Sequence, residues 1–382
     1  MSKETKIKRE KPFQYLKRRE DNSAFTDEIV NNWYIARAYV LDKLKGVHFS
    51  SGENRHLHVI LEGDSPLMLA VARQVALSAH YINFVEYDQF DQLVCRNRTV
   101  ITLVSQKEAQ ELISELNKEE NLGNLLAYCK YTVGGKTVNA DSYIDLELNI
   151  VKTTEEEDSI RLTEKDVKAY VKEKDEKDIF SIDTRKAIYA GKAYDLGSVI
   201  DNLPYEGLND AERYNRALAT FQSRVLNNPR PETLVDEKDN LTKVKEHLSN
   251  LMCADCFESR KASVAAQCAN YDELGRKKQM ALWKQFNEAL SLSEHSRWVV
   301  EKLIMGYKPM SPEQRSTYQS LFKKQRKAYR DELKYNSTAP VHLNLCSYRE
   351  LRRVDPDNMK YDSFLMLAIP LILGSIPKNE SK

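Results

Sequence analysis

The 382-residue sequence lacks any long hydrophobic run. Its most apolar stretch, Phe364 to Leu373, is short and contains Pro370, whereas a membrane-spanning helix needs about 20 apolar residues in succession. The first residues are charged and include no apolar core of a signal peptide. These absences argue against membrane insertion and export, so we expect a cytoplasmic protein.

Cysteine is sparse, with six residues scattered along the chain, which excludes a disulfide framework for a protein of this length. Cys253 and Cys256 form the single CxxC pair. A zinc site can be drawn with His247 and Cys268, but no second pair completes four ligands at a familiar spacing. Buried, reduced thiols are the favoured interpretation, and we predict no metal.

The sequence also has no marked excess of charge of one sign. Its 58 basic and 57 acidic residues leave a formal net charge of +1. The whole molecule therefore has no long-range field to attract nucleic acid or an anionic membrane. A nucleic-acid contact would have to use a local patch, and the sequence has one in a basic helix predicted over residues 312–335. Its basic residues are Arg315, Lys323, Lys324, Arg326, Lys327, Arg330 and Lys334. A solvated face is the usual interpretation, and a docking surface is the alternative, because Tyr318, Phe322 and Tyr329 lie between the bases.

Short apolar runs alternate with helical patterns in the first half of the chain. Strands are predicted at residues 57–61, 99–104, 143–151 and 178–182, and helices at 27–45, 67–79, 106–117 and 184–199. This alternation predicts a parallel α/β sheet. After residue 209 the strand signals stop, and helices are predicted at 210–226, 241–252, 259–268 and 275–305.

Glycine is scarce where a dinucleotide site would need it. The turn after the first strand, Glu62 to Pro66, contains one glycine where a GxGxxG loop would have three. Asp64 would repel a phosphate and Pro66 removes an N–H donor, although Ser65 and Pro66 make a good helix start. The layout is similar to the nucleotide-binding domains of potassium-uptake regulators. We therefore predict a degenerate Rossmann-like scaffold, with ligand binding in a changed mode as the alternative and intact NAD binding disfavoured.

The last ninety residues carry a series of short motifs. They are Glu294-His295-Ser296-Arg297-Trp298, Gly306-Tyr307, the segment from His342 to Leu351, and Lys360 with Asp362. This order resembles the ryanodine-receptor repeat, or RyR domain, whose pattern has His-x-x-Trp on a helix, a Gly-aromatic pair, a His-containing segment ending in Tyr-x-x-Leu, and Lys followed closely by Asp. Leu343 and Ser347 replace two family prolines, which leaves the geometry of that turn open. The resemblance implies a ligand-binding and interaction module, not a catalyst.

The helical repeat places Glu294, Arg297, Trp298 and Glu301 on one stripe, opposite the apolar residues Val300, Leu303 and Ile304. An indole suits a planar ring and a guanidinium suits a phosphate. A core indole beside a solvated ion pair of Arg297 with Glu301 is the alternative. With the positions matched to the family pattern, the predicted ligand-binding residues are Glu294, His295, Arg297, Trp298, Glu301, Lys302, Tyr307, His342, Tyr348 and Lys360.

The two histidines are open to a second interpretation, since His295 and His342 either donate to an anion or bind buried carbonyls. Asp362 is expected to anchor the closing helix. No nucleophile or acidic pair adjoins these residues, so no catalytic residue is predicted.

The predicted organisation is a basic tail at residues 1–24, a Rossmann-like α/β domain at 25–205, a helical connector at 206–285 and a mostly helical RyR-like domain at 286–376. The predicted function is regulatory and non-catalytic, namely the sensing of a nucleotide-like or anionic small molecule, with no resident cofactor and with a protein partner or a homo-oligomer. The alternatives are a structural or interaction subunit of a bacterial defence or signalling assembly, and a nucleotide-dependent enzyme.

Overall fold

The computed structural model of the chain describes residues 27–44, 46–63, 65–139, 142–152, 179–183, 249, 252–336 and 339–375. The predicted basic tail, the helices predicted at 184–199 and 210–226, and the domain boundary near residue 205 lie outside these ranges.

The described N-terminal part is built on a six-stranded sheet. The strands of this half are β1 His58–Glu62, β2 Val85–Tyr87, β3 Leu93–Arg96, β4 Thr99–Ser105, β5 Lys130–Val133, β6 Lys136–Asn139, β7 Leu146–Lys152 and β8 Ile179–Asp183. The order in the large sheet is β6-β5-β7-β4-β1-β8. All neighbours in the large sheet pair in parallel except β5 and β6. The predicted α/β sheet and its parallel pairing are confirmed, with strand ends within a few residues of those expected.

Two antiparallel hairpins were not predicted. Strands β5 and β6 are joined through Gly134 and Gly135, which both have positive φ, the conformation that tight hairpin turns require. Strands β2 and β3 form a separate two-stranded ribbon. Both hairpins use strands of only three or four residues, which are too short to give a clear alternating pattern.

Three helices pack around the sheet: α1 Asp27–Leu44, α2 Pro66–Ser78 and α3 Ala109–Leu116. The Ser65 hydroxyl accepts a hydrogen bond from the Met68 amide at 3.2 Å, and Pro66 is the first residue of α2, as predicted for a helix start. Helix α1 packs against α2 through Trp33, Ala36 and Val40, which are buried in the core.

The C-terminal part is helical, apart from one short pair of parallel strands. The helices are α4 Phe257–Ala265, α5 Arg276–Gln285, α6 Asn287–Ile304, α7 Pro312–Ser320, α8 Lys323–Lys334, α9 Tyr348–Val354 and α10 Pro356–Ser375, and the strands are β9 Lys308–Pro309 and β10 Val341–His342. Among the described residues, no helix combines the length and apolar character needed to cross a bilayer.

The prediction of a single basic helix over residues 312–335 was wrong in one respect, because α7 and α8 are separate helices. Leu321 and Phe322 adopt extended backbone angles between them. The Phe322 amide donates to the Gln325 side chain at 3.3 Å, so a new helix start is formed at this point.

Helix α6 packs into the α/β half, and both belong to one hydrophobic core. Val299, Leu303 and Ile304 lie in the same cluster of buried residues as Leu61 and Leu103 of the sheet. A second core, around Trp283 and Phe257, joins α4, α5, α6 and α10. Helix α6 therefore connects the sheet to the C-terminal helices.

Candidate functional site

Helix α6 places a network of charged side chains in the protein interior. The Arg297 guanidinium donates to both carboxylate oxygens of Glu294 at 2.9 Å and to Glu301 at 2.7 Å. The spacings of three and four residues put these groups on one helix face. Arg260 of α4 donates to Glu294 at 2.7 Å, and Lys302 donates to Glu301 at 2.7 Å.

The network satisfies charges that would otherwise be costly to bury. Glu294, Arg297 and Glu301 are each no more than 2% exposed. Burial acts to raise the pKa of Glu294, but the guanidiniums of Arg297 and Arg260 outweigh it and lower this pKa to about 2. The same network holds the pKa of Arg297 above its ordinary value despite burial. All of these groups stay ionised at neutral pH.

This arrangement corrects the expected recognition stripe. Arg297 binds the carboxylates of its own helix and does not share contacts with Trp298, so it has no free edge to offer a phosphate. Glu294 and Glu301 likewise pair with buried cations, so they are not available to a ligand either. The alternative of a solvated pair of Arg297 with Glu301 is also wrong, because the pair exists but is buried.

Trp298 has different neighbours and remains partly exposed. Its ring centroid lies 4.9 Å from that of His342, with an edge-to-face angle of 76°. The Lys302 ammonium lies 5.8 Å from the indole centroid, and the His295 ring lies 6.2 Å away. The Tyr307 ring centroid lies 6.3 Å from that of His342.

His342 is kept neutral by its surroundings. Burial is the main cause that lowers its pKa well below 6.5, and the cations Lys334, Lys302 and Arg330, together with His295, lower it further. The Asn344 amide donates to Nδ1 of His342 at 3.2 Å, so Nδ1 is the acceptor and the ring proton resides on Nε2.

We use the name Trp298 cluster for Trp298, His342, Lys302, Arg330 and Lys334. Arg330 and Lys334 belong to α8 and were not among the predicted ligand-binding residues. Helix α8 packs against β10, and the charges of both residues contribute to the lowered pKa of His342. The signal available in the sequence was their four-residue spacing on a basic helix, but nothing local indicated which element that helix face would meet.

The remaining predicted site residues lie around the cluster or away from it. His295 binds the Cys346 carbonyl at 2.9 Å and faces the Asp362 carboxylate at 3.7 Å, so it joins α6 to α10, and Asp362 has the anchoring position that was expected. The Tyr348 ring centroid lies 5.6 Å from that of His295, and the residue is buried. Lys360 is exposed and pairs with Asp357 at 2.7 Å, apart from the other site residues.

The segment around Ser347 has a well-defined local structure. The Ser347 hydroxyl accepts from the Glu350 amide at 3.1 Å and caps α9. The buried Glu86 carboxylate of β2 also accepts from the Tyr348 amide at 3.0 Å and from the Arg349 amide at 3.3 Å. Helix α9 is thereby fixed to the α/β half at the helix end where a carboxylate is favourable.

A cavity lies at the carboxyl edge of the sheet. It has a volume of about 250 Å³, lies between α1 and α2 and is lined by Trp33, Pro66, Leu69, Lys107 and Glu120, among others. Two N–H groups in the first turn of α2 cannot serve a ligand. The Met68 amide donates to the Ser65 hydroxyl, and Pro66 has no N–H. This helix start therefore lacks donors that a pyrophosphate would use. Asp64 itself lies outside the described residues.

The thiols and the phenol close to the site are protonated at neutral pH. Burial raises the pKa of Cys346 to about 12 and that of Tyr348 to about 12. Cys253 and Cys256 are buried, and burial raises the pKa of Cys256 to about 11. Within the described ranges, no group of three His, Cys, Asp or Glu side chains is placed to hold a metal ion.

Comparison of the chain with protein-family models, with curated proteins and with solved structures found no match.

Proposed function

We propose that this protein is a non-catalytic, regulatory binding protein whose Trp298 cluster takes an anion that carries a planar ring, such as a mononucleotide. The supporting observation is a partly exposed indole beside a neutral histidine, with the cations Arg330 and Lys334 on the helix that packs against the strand of this histidine. Lys302, which also borders the indole, neutralises Glu301. The indole face suits stacking on a ring, and the cations suit a phosphate.

Two features of the chain support the same class of function. The motif positions matched to the RyR pattern, Trp298, Tyr307 and His342, meet in space although 44 residues separate the first from the last. In the α/β half, β1 lies between β4 and the edge strand β8, with β7, β5 and β6 beyond β4. The run β7-β4-β1-β8 is similar in order to one half of a Rossmann fold, and the β5–β6 hairpin extends the sheet beyond it. The Rossmann-like and RyR-like assignments and a cytoplasmic location are parts of this proposal.

The proposed site is smaller than the set of residues that the sequence selects. Glu294, Arg297 and Glu301 form the buried charge network of α6, and Lys360 is exposed and paired with Asp357, so none of these is given a role in binding. His295 and Tyr348 support the cluster by fixing α6 against α9 and α10.

An interaction subunit is a second candidate, favoured by the β2–β3 hairpin. Phe90 is 72% exposed and Leu93 is 46% exposed on this hairpin. Adjacent exposed apolar side chains on a short ribbon are suited to contact with a protein partner or a second copy of the chain.

The ligand proposal is tested by calorimetric titration of the full chain with AMP, adenosine and inorganic phosphate. We expect AMP to bind more tightly than either fragment, because only AMP uses both the indole and the cations. Arg330→Ala and Lys334→Ala should each weaken AMP binding about tenfold, the effect of losing one charge-assisted hydrogen bond. Trp298→Leu should weaken binding of AMP and of adenosine.

Lys278→Ala, which removes an exposed lysine from α5, is the matched control and should change nothing. Absence of AMP binding, or AMP affinity equal in Lys334→Ala and the parent protein, would contradict the proposal.

A further inference from the structure

Four basic residues share one face of α8. Lys323, Lys327, Arg330 and Lys334 follow one another at spacings of four, three and four residues, which places them in a row along the helix. We call this row the basic stripe. At about 1.5 Å per residue it is about 16 Å long. The helix carries six basic and two acidic residues, so its surface is strongly positive although the whole chain is nearly neutral.

One end of the basic stripe lies at the Trp298 cluster. Helix α8 packs against β10, and Leu333 of α8 contacts the small core formed by Met310, Val341 and Leu343. Arg330 and Lys334 are therefore held near the ring of His342, where their charge is felt. The basic stripe therefore runs along α8 to the end of the helix that packs beside the Trp298 cluster.

The other end carries an exposed aromatic ring. Phe322 immediately precedes Lys323 and is 81% exposed, more than any other large hydrophobic side chain in the described part of the chain. Lys323, Lys324 and Lys327 beside it are also exposed. An exposed ring flanked by exposed lysines offers a stacking face next to positive charge.

The turn that presents this ring is held by specific contacts. The Arg326 guanidinium donates to the Leu321 carbonyl at 2.9 Å and to the Gln319 carbonyl at 2.6 Å. The same guanidinium lies 5.4 Å from the Tyr318 ring centroid. These contacts lock α7 to α8, so Phe322 is presented on a defined turn.

We propose that the ligand of this surface is a single-stranded nucleic acid that stacks one base on Trp298, follows the basic stripe with its phosphates and stacks a second base on Phe322. This inference rests on the proposed function of the Trp298 cluster and names the class of its ligand. Aromatic rings at the ends of a positive groove are suited to unpaired bases, because each base offers a face for stacking. A duplex keeps those faces covered and offers only backbone and groove edges.

An anionic membrane fits the surface less well. Residues 323–334 of α8 contain no exposed large hydrophobic side chain, so the helix has no apolar face to place among lipid chains.

The test measures fluorescence anisotropy of a labelled 12-nucleotide oligo-dT with the full chain over a range of salt concentrations. We expect tighter binding than AMP shows, with a slope of log affinity against log salt of about −3, because about four phosphates are neutralised at about 0.7 each. Phe322→Ala should weaken oligonucleotide binding about tenfold through loss of one base stack. The double variant Lys323→Ala with Lys327→Ala should bring the slope to about −1.4, since about two contacts remain.

Neither change should alter AMP affinity, because both lie at the far end of the stripe. Phe90→Ala, which removes a phenyl ring that is 72% exposed on the β2–β3 hairpin, and Lys277→Ala with Lys278→Ala on α5 are the matched controls. They should leave oligonucleotide binding unchanged.

The outcomes separate this inference from the function on which it rests. If AMP binds and oligo-dT binds no more tightly, the inference is overturned while the proposed function stands. If neither binds, both are overturned. Equal affinity for a duplex, or Phe322-dependent binding to phosphatidylserine vesicles without oligonucleotide binding, also overturns it.

Discussion

Arg297 lies at the centre of α6 with three of its nitrogens bound to two carboxylates. A guanidinium beside an indole in sequence suggests ligand recognition, yet consecutive residues on a helix point 100° apart and meet different neighbours. Here Arg297 meets Glu294 and Glu301, whereas Trp298 meets His342. The two side chains serve different purposes, stability in one case and an accessible surface in the other.

Glu294 gives a prediction at the residue scale. Its folded-state pKa of about 2 lies below the ordinary value of 4.5, so its contribution to stability is fully present above pH 4.5 and is lost as pH falls towards 2. The shift corresponds to about 3 kcal/mol. Glu294→Gln should lower the free energy of unfolding at pH 7 by about 3 to 5 kcal/mol, because Arg260 and Arg297 lose a buried counter-charge. Urea unfolding between pH 7 and pH 3 should show this deficit shrinking below pH 4.5.

Glu288→Gln is the control, since this carboxylate belongs to the same helix and is 78% exposed in its pair with Arg352. Its effect should stay within about 0.5 kcal/mol, as for other exposed ion pairs. A deficit in Glu294→Gln that is small at pH 7, or that does not change with pH, would contradict the proposed role of the network.

The contact between α6 and the loop after α3 matters at the element scale. The backbone N–H of Asn124 donates to the Leu303 carbonyl at 3.0 Å, and its side-chain amide donates to the Gly306 carbonyl at 2.8 Å. Gly123, with φ of +53°, approaches so closely that an added Cβ would lie 2.4 Å from the Ile304 carbonyl oxygen. Only glycine permits both the backbone conformation and this approach.

Gly123→Ala should therefore destabilise the protein by more than its backbone conformation alone requires. Gly134, in the β5–β6 turn, has almost the same φ of +54° but nothing within 4 Å of an added Cβ. Gly134→Ala should cost about 1 to 2 kcal/mol for the left-handed conformation, and Gly123→Ala should cost about 2 kcal/mol more. Chemical denaturation of both variants measures the difference. Equal losses would show that α6 moves away at little cost and that the contact is not important.

The break between α7 and α8 was not predicted from the sequence. The periodic pattern and the charge of residues 312–335 were visible in the sequence, and helices occupy most of that range. The break at Leu321 and Phe322 was missed because neither residue is a strong helix breaker. It depends on a contact made across the turn, the donation from Arg326 to the Gln319 carbonyl.

At the scale of the whole molecule, the two described parts share buried contacts in several places. Arg37 of α1 forms a buried salt bridge with Asp255 at 2.6 Å, and the side chains of both residues are 1% exposed. Glu86 accepts from the first amides of α9. Together with the packing of α6 in the core of the sheet, these contacts indicate that the parts unfold together.

Cooperative unfolding can be measured without substitutions, through thiol alkylation during a urea titration followed by peptide mass spectrometry. Cys129, in the α/β half, and Cys346, before α9, are 0% and 1% exposed and should become reactive at one common urea midpoint. Cys268 is partly exposed and should react without denaturant, which controls for the reagent. Two well-separated midpoints would show instead that the parts are independent domains.

Local patterns in the sequence determined the strands of the sheet, the start of α2 and the helical character of the C-terminal part, because apolar periodicity and caps act over a few residues. The sequence also selected Trp298, His342 and Lys302, but it grouped them with Arg297 and omitted Arg330 and Lys334. Only the tertiary structure decided this grouping. Burial and charge pairing depend on which helix faces which, and the packing of α6, α8 and β10 brings together residues that lie far apart along the chain.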